Sequence, residues 1–177
     1  MEYRCIFAGF GGQGVVSMGT LLAHAAMIAN RQTTFFPAYG IAMRGGSANC
    51  TVIVSDEPVA SPVVTDPDVM VVMNDVSLDY FQSWVLPGGW LFINASLVDK
   101  KAQRADVKTV YVQATQLAVE EGDVRMANMA MMGAVMKMTG MLPLDPLIQA
   151  MIKISPPKIR HLIEKNRRVL ERGYASV

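Results

Sequence analysis

No run of this 177-residue chain reaches the roughly 18 consecutive apolar residues that a membrane-spanning helix needs. The first residues enter strand-like sequence at once, without the charged lead and apolar core of a secretory signal, so a cytoplasmic protein with no membrane partner is expected. Cysteine is equally scarce, with Cys5 and Cys50 alone. A cubane cluster takes four thiolates and a structural zinc site several Cys or His ligands, so this chain is expected to hold neither metal by itself. Both cysteines sit in apolar strand-like sequence and read as small buried hydrophobes in a reducing compartment. A formal net charge of +1 with no basic block leaves no electrostatic footprint for nucleic acid. One sign of charge is missing over a long stretch: neither Asp nor Glu occurs between Tyr3 and Ser55. The cations there are Arg4, Arg31 and Arg44, with His24 as a fourth when protonated. An anionic ligand would meet attraction and no carboxylate repulsion in such surroundings. For Arg4 and Arg31, a buried N-terminal half with little room for charge explains the pattern equally well.

What the sequence does contain begins with Gly9-Phe10-Gly11-Gly12-Gln13-Gly14, placed between a short apolar strand at 3–8 and a helix predicted over 14–29. A strand, a glycine-rich turn and a helix start make an anion site, because first-turn N–H groups lack partners and the helix dipole is positive there. By the dinucleotide pattern, Gly9 permits the turn, Gly11 lets a phosphate approach, and Gly14 lets the helix pack close. That pattern also needs an acidic residue about 20 positions on for a ribose hydroxyl, and its absence argues against an NAD site. A second glycine-rich stretch runs from Phe36 to Ser47 and carries Arg44-Gly45-Gly46. Two glycines after an arginine leave backbone open to close approach, while the guanidinium can grip a carboxylate or phosphate with two bonds.

Strand-like segments at 3–8, 33–36, 50–55, 69–73, 90–94 and 109–112 alternate with helical ones at 14–29 and 76–84. The continuous apolar run at 69–73 suits a sheet covered on both faces. The fold class expected is α/β, an open, mostly parallel Rossmann-like sheet with helices on both faces, in a single domain over 1–177. Asn30 is suited to end the first long helix. Asn74 and Asp75 fall at the carboxyl end of a strand, where such sheets place ligands, although Asp75 or Ser77 could simply cap the next helix. Seven of the 14 methionines lie between Met126 and Met141 and cover nearly the whole circumference of one helix. A helix apolar all round is buried all round, and in so short a chain the outer side is expected to lie against a partner. The isolated chain would then self-associate. Asn128 is the polar exception in this helix, suited to a ligand or to a local bond. In the last helix Ser155 is expected as N-cap and Gly173 as the stop, with Ile159, Leu162, Ile163, Val169 and Leu170 inward. Arg160, Lys165, Arg167, Arg168 and Arg172 make its outer face basic, either solvated or a dock for an acidic partner.

Taken together, Gly-Phe-Gly-Gly-Gln-Gly at 9–14, Tyr39-Gly40 with Arg44-Gly45-Gly46, Val54-Ser55, Ser61-Pro62 and Asn94-Ala95-Ser96-Leu97 resemble the gamma subunits of 2-oxoacid:ferredoxin oxidoreductases. The likeness runs from the first strand to the helix around Asn128 and is nearest to the 2-oxoglutarate branch; the pyruvate, 2-oxoisovalerate and indolepyruvate branches share the core pattern. One departure is clear: Ile41-Ala42 stands where that branch commonly has Pro-Glu before Met-Arg-Gly-Gly. Loss of a glutamate beside Arg44 bears on the substrate or on a subunit contact, not on the fold. The resemblance implies a complex that decarboxylates a 2-oxoacid on thiamine diphosphate, passes electrons through iron–sulfur clusters to ferredoxin, and transfers the acyl group to coenzyme A. Thiamine diphosphate, magnesium and the clusters would belong to alpha, beta and ferredoxin-like delta subunits. This chain would bind no cofactor alone and would shape the coenzyme A side at the interface, through Gly11, Gly12, Gln13, Gly14, Arg44, Gly45 and Gly46. No catalytic residue or metal ligand is expected. A free-standing nucleotide-binding or regulatory module, or a purely architectural subunit, fits the same glycines.

Overall fold

The computed structural model of the chain describes residues 1–39 and 46–177; Ile41, Ala42, Arg44 and Gly45 lie outside the described residues. Strands β1 (Glu2–Phe10), β2 (Gln32–Tyr39), β3 (Ser47–Ser55), β4 (Val69–Val72), β5 (Trp90–Asn94) and β6 (Lys108–Val112) form one sheet in the order β2-β3-β1-β4-β5-β6. β3 runs antiparallel to both β1 and β2, while β1, β4, β5 and β6 pair in parallel. Five strands therefore point one way and β3 alone opposes them. The six strand-like segments of the sequence all become strands, because each is an apolar run too short for a core helix.

The chain crosses from β1 to the β2 edge through α1 (Val15–Ile28), then returns to the other side of β1 to lay down β4. That reversal makes the carboxyl ends of β1 and β4 the topological switch point, where open α/β sheets open a crevice. α1 ends in a Schellman motif: Asn30 is left-handed at φ 55°, its N–H reaches Met27 O at 3.1 Å, and Arg31 N–H reaches Ala26 O at 2.8 Å. On the other side, α2 (Asp75–Phe81) extends into a 3-10 turn, Gln82–Trp84. Its cap is Asn74, whose side-chain oxygen accepts from Ser77 N–H at 2.8 Å, and not Asp75 or Ser77. An extended residue just ahead of the helix holds its oxygen over the first turn, which residues already inside the helix cannot do.

One face of the sheet carries the main core, built with α1, α3 (Ala114–Glu120), α4 (Ala127–Thr139), α5 (Leu144–Ile154) and α6 (Ile163–Ala175). The other carries a smaller core under α2, where Ile6, Met70, Leu91 and Ile93 meet Leu78 and Phe81. The sequence gives little warning of α3 and α5. The methionine-rich α4 corrects the interface reading: Met126, Met129, Met131, Met132, Met136 and Met141 are at most 7% exposed, all within this chain. α4 is sandwiched between the sheet and α6, so its all-round apolarity is satisfied internally and gives no reason for self-association. The contact depends on two glycines. A Cβ on Gly133 would lie 2.6 Å from Tyr174 N, and one on Gly173 would lie 2.6 Å from Ala130 Cα. Gly173 thus lies within the last turn of α6 as a packing contact, and the helix runs on past it to Ala175. Ser155 ends α5 instead of starting the last helix, because Pro157–Leu162 forms a 3-10 turn that leaves Ile159 44% exposed. The basic face of α6 is partly spent within the chain, as Arg168 and Arg172 pair with Glu120 and Glu121 at the end of α3.

Candidate functional site

The glycine-rich turn leaves β1 at its carboxyl end and meets the start of β3. Gly11 N–H donates to Gly46 O at 3.0 Å, so Gly11, Gly12, Gln13, Gly14 and Gly46 form one patch. Arg44 and Gly45 precede that contact in sequence and lie outside the described residues. Gln13 is half-buried, and its side-chain amide is engaged within the chain. Its Oε1 accepts from Phe10 N–H at 2.7 Å and from Asn74 Nδ2 at 2.8 Å, and its Nε2 donates to Met73 O at 3.2 Å. With Asn74 in turn holding Ser77, a chain of amides ties β1 to β4 across the switch point. The crevice that a dinucleotide would enter is filled by the protein's own glutamine.

Gly14 starts α1 at φ 74°, and a Cβ there would meet Asn128 Cγ at 2.9 Å. Asn128 is 7% exposed and turns its Nδ2 toward Gly14 O at 3.4 Å, a local bond that accounts for the one polar residue inside α4. No acidic residue occupies the first turn of α1, whose opening N–H groups have no intrahelical acceptor. Gly12, at φ 99°, has open space where a side chain would be. Beside it lies a pocket of about 130 Å³ lined by Gly12, Gln13, Met73, Leu97, Thr115 and Arg125 among others. That volume suits a phosphate-sized group and not a nucleotide. Arg125 is a cation that sequence reading misses, since nothing in the chain's spacing links it to residue 12. It also grips Asp123 at 2.9 and 2.6 Å, and this hydrogen bonding holds the Asp123 carboxyl down to about 2.

The carboxylate-free surroundings expected for the N-terminal arginines do not survive folding. Arg4 reaches Asp66 at 3.0 Å and Asp68 at 3.1 Å, and Arg31 pairs with Asp56. Acids distant in sequence neutralise both, which leaves neither as an anion ligand. Cys5 and Cys50 are free and fully buried; Cys50 Sγ donates to Val15 O at 3.2 Å. Burial pushes the Cys50 thiol up to about 12 and raises Cys5 as well, so both behave as hydrophobes. Among the described residues, no group of three or more His, Cys, Asp or Glu side chains is placed to hold a metal ion. No helix there is long and apolar enough to cross a membrane. A larger apolar cleft of about 460 Å³ opens between α1, the start of α4 and the end of α5, with Val16, Leu21, Met126, Met129 and Met151 on its walls.

An α/β sheet with a glycine turn at its switch point defines a broad class of phosphate- and nucleotide-handling folds. Residues 4–176 match the family model described as pyruvate ferredoxin/flavodoxin oxidoreductase, and the chain belongs to that family. It is 39% identical over 173 residues to ketoisovalerate oxidoreductase subunit VorA of Methanothermobacter marburgensis, covering 97% of this chain but only 36% of that protein. It therefore spans about a third of the length of that relative. It is 30% identical over 177 residues to 2-oxoglutarate synthase subunit KorC of Methanocaldococcus jannaschii, covering 98% of this chain and 93% of the relative. Among solved structures, the gamma subunit of a keto/oxoacid ferredoxin oxidoreductase from Geobacter sulfurreducens superposes with a TM-score of 0.87 at 27% identity, covering 99% and 95% of the two chains.

Proposed function

We propose that residues 1–177 form a one-domain gamma subunit of a cytoplasmic, thiamine diphosphate-dependent 2-oxoacid:ferredoxin oxidoreductase, and that the glycine-rich patch faces coenzyme A at a subunit interface. The observation that carries this reading is the bond between Gly11 and Gly46, which sets the last glycine of the second glycine-rich stretch beside the first at the carboxyl end of β1, in a chain of this family. The residues suit an anionic group. The start of α1 lacks acidic side chains, Gly12 leaves space, and the adjoining pocket fits one phosphate. A pocket of that size and a switch point closed by Gln13 speak against a free-standing nucleotide-binding module. The alpha, beta and ferredoxin-like delta subunits would supply decarboxylation on thiamine diphosphate and magnesium, and electron transfer through iron–sulfur clusters to ferredoxin. This chain's part is to bind and orient: first-turn N–H groups and Arg44 hold the anionic end of coenzyme A against the partner chains.

The 2-oxoglutarate branch is the first reading of the substrate, from the motif set. A branched-chain 2-oxoacid is the second, favoured by the 39% identity to a ketoisovalerate subunit and by the apolar Ile41-Ala42 standing in place of a Pro-Glu pair. Steady-state rates of the assembled enzyme with each acid decide between them. The coenzyme A role is tested by Arg44→Ala in that enzyme. Loss of a charge-assisted, two-bond contact costs about 1.5–3 kcal/mol, or roughly ten- to a hundredfold in coenzyme A affinity, with decarboxylation little changed. Arg44→Lys recovers part, lacking the planar fork. Unchanged coenzyme A affinity with a dissociating complex makes the arginine an interface anchor and the chain architectural.

A further inference from the structure

Arg125 belongs to two cavities at once. It lines the phosphate-sized pocket beside Gly12, and it also lines one corner of the 460 Å³ cleft between α1, α4 and α5. Asp123 grips one edge of its guanidinium, with Nε and Nη2 as donors, and Nη1 has no acceptor among the described residues. A guanidinium held on one edge and open on another suits a phosphate, because part of the entropy of fixing the side chain is already lost before the anion arrives. Asp123 does not cancel the charge of this corner. Its carboxylate feels Lys165 as well as Arg125, so two cations stand against one anion there.

The cleft falls within the roughly 300–1,000 Å³ of small-molecule sites, and its lining narrows the kind of molecule. Met126, Met129 and Met151, each at most 7% exposed, put three thioethers on its walls, and such sulfurs pack well against a flat ring. Ser17, Thr20 and Asn166 add hydroxyl and amide groups to the same lining. The Thr20 hydroxyl already donates to Val16 O at 3.0 Å, which leaves it an acceptor for a ligand N–H. An alkyl chain would leave these polar groups unmatched, whereas an uncharged heterocycle with ring nitrogens and an amine would use them. We infer that the two cavities form one site across Arg125 for a phosphorylated nucleoside, with a single phosphate in the small pocket and the uncharged base in the cleft. The inference rests on the coenzyme A reading above and deepens it: within coenzyme A, the 3′-phosphoadenosine end sets a lone phosphate beside such a base. The base then lies on the flank of α1, outside the crevice that Gln13 closes, and for that reason the dinucleotide pattern of the glycines does not report it.

The test uses the assembled enzyme, with isothermal titration of adenosine 3′,5′-bisphosphate for binding and steady-state rates with coenzyme A and dephospho-coenzyme A for KM. Wild type should bind the bisphosphate and show a KM roughly ten- to a hundredfold higher for dephospho-coenzyme A, the factor expected of one charge-assisted contact. Arg125→Ala should weaken the bisphosphate by the same factor and bring the two KM values together, with kcat little changed. This variant keeps the local turn, because the backbone N–H of residue 125 still donates to Asp123. Asp123→Asn/Arg125→Ala removes the carboxylate bared by the single change, and wild-type affinity in that double variant overturns the guanidinium contact. Ser17→Trp, at an exposed position of α1 beside the cleft, should weaken the bisphosphate and coenzyme A about tenfold or more by filling the lobe meant for the base. No binding of the bisphosphate to wild type, or wild-type binding in either Arg125→Ala or Ser17→Trp, overturns the inference, while turnover of coenzyme A preserves the gamma-subunit reading. A Ser17→Trp complex that falls apart in native mass spectrometry also overturns it, and assigns the cleft to a neighbouring subunit. Failure of the wild-type enzyme to use coenzyme A overturns that reading, and the inference with it.

Discussion

Gln13 offers the sharpest test of whether the glycine turn is held by the protein or waits for a ligand. Gln13→Ala removes three hydrogen bonds together: Phe10 N–H and Asn74 Nδ2 lose their acceptor, and Met73 O loses its donor. Stranding a buried polar group costs about 1–3 kcal/mol, but water reaches one side of this half-buried turn, so roughly 2–3 kcal/mol for the set is the expected loss. For a chain of this size, at about 2–4 °C per kcal/mol, the Tm of the isolated protein should fall by roughly 4–12 °C. Gln13→Glu keeps the acceptor for Phe10 and Asn74 but aims a carboxylate at the Met73 carbonyl, so its Tm should fall between wild type and alanine. Differential scanning calorimetry reads both, and amide exchange at Phe10 reports whether its N–H has lost protection. A Gln13→Ala protein with wild-type Tm and protection, but weakened coenzyme A binding in the assembled enzyme, would refute the plug and make the glutamine a ligand contact.

Gly173→Ala should lower stability by roughly 3 kcal/mol, because the new methyl meets the α4 backbone and the helices must part. Gly140→Ala, left-handed at φ 63° but with nothing within 4 Å, should cost only about 1 kcal/mol; equal losses in thermal unfolding would contradict the close-packing account. Asp123 is held at about 2 by Arg125, below its ordinary 3.8. A depressed carboxyl contributes stability that is full above the ordinary value and is lost as pH falls toward 2, so urea unfolding of Asp123→Asn should show less loss than wild type between about pH 4 and pH 2.

The strands were legible because each is a short apolar run between turn residues, and β-ladders need only such runs in the right number. Asn30 was legible for a local reason, as the left-handed end of a helix. What stayed hidden depends on contacts between distant residues. Met126 to Met141 look like a surface awaiting a partner until Gly133 and Gly173 bring α6 onto α4, and no periodicity within either helix announces that meeting. Arg4 and Arg31 stand in acid-free sequence and beside acids in space, since Asp56, Asp66 and Asp68 arrive on segments laid down after β3. Arg125 is remote from the glycine turn in sequence and lines the same pocket. The glycine run itself shows the limit most clearly. Its spacing matches a dinucleotide turn, yet the residue between Gly12 and Gly14 closes the crevice such a turn normally serves. A pattern that counts glycines is blind to that residue, because glutamine's three bonds go to Phe10, Met73 and Asn74, and two of those sit on another strand's end. The first-turn N–H groups of α1 stay free of an intrahelical acceptor beside that closed turn, and the proposed coenzyme A contact needs no more of this turn than those groups.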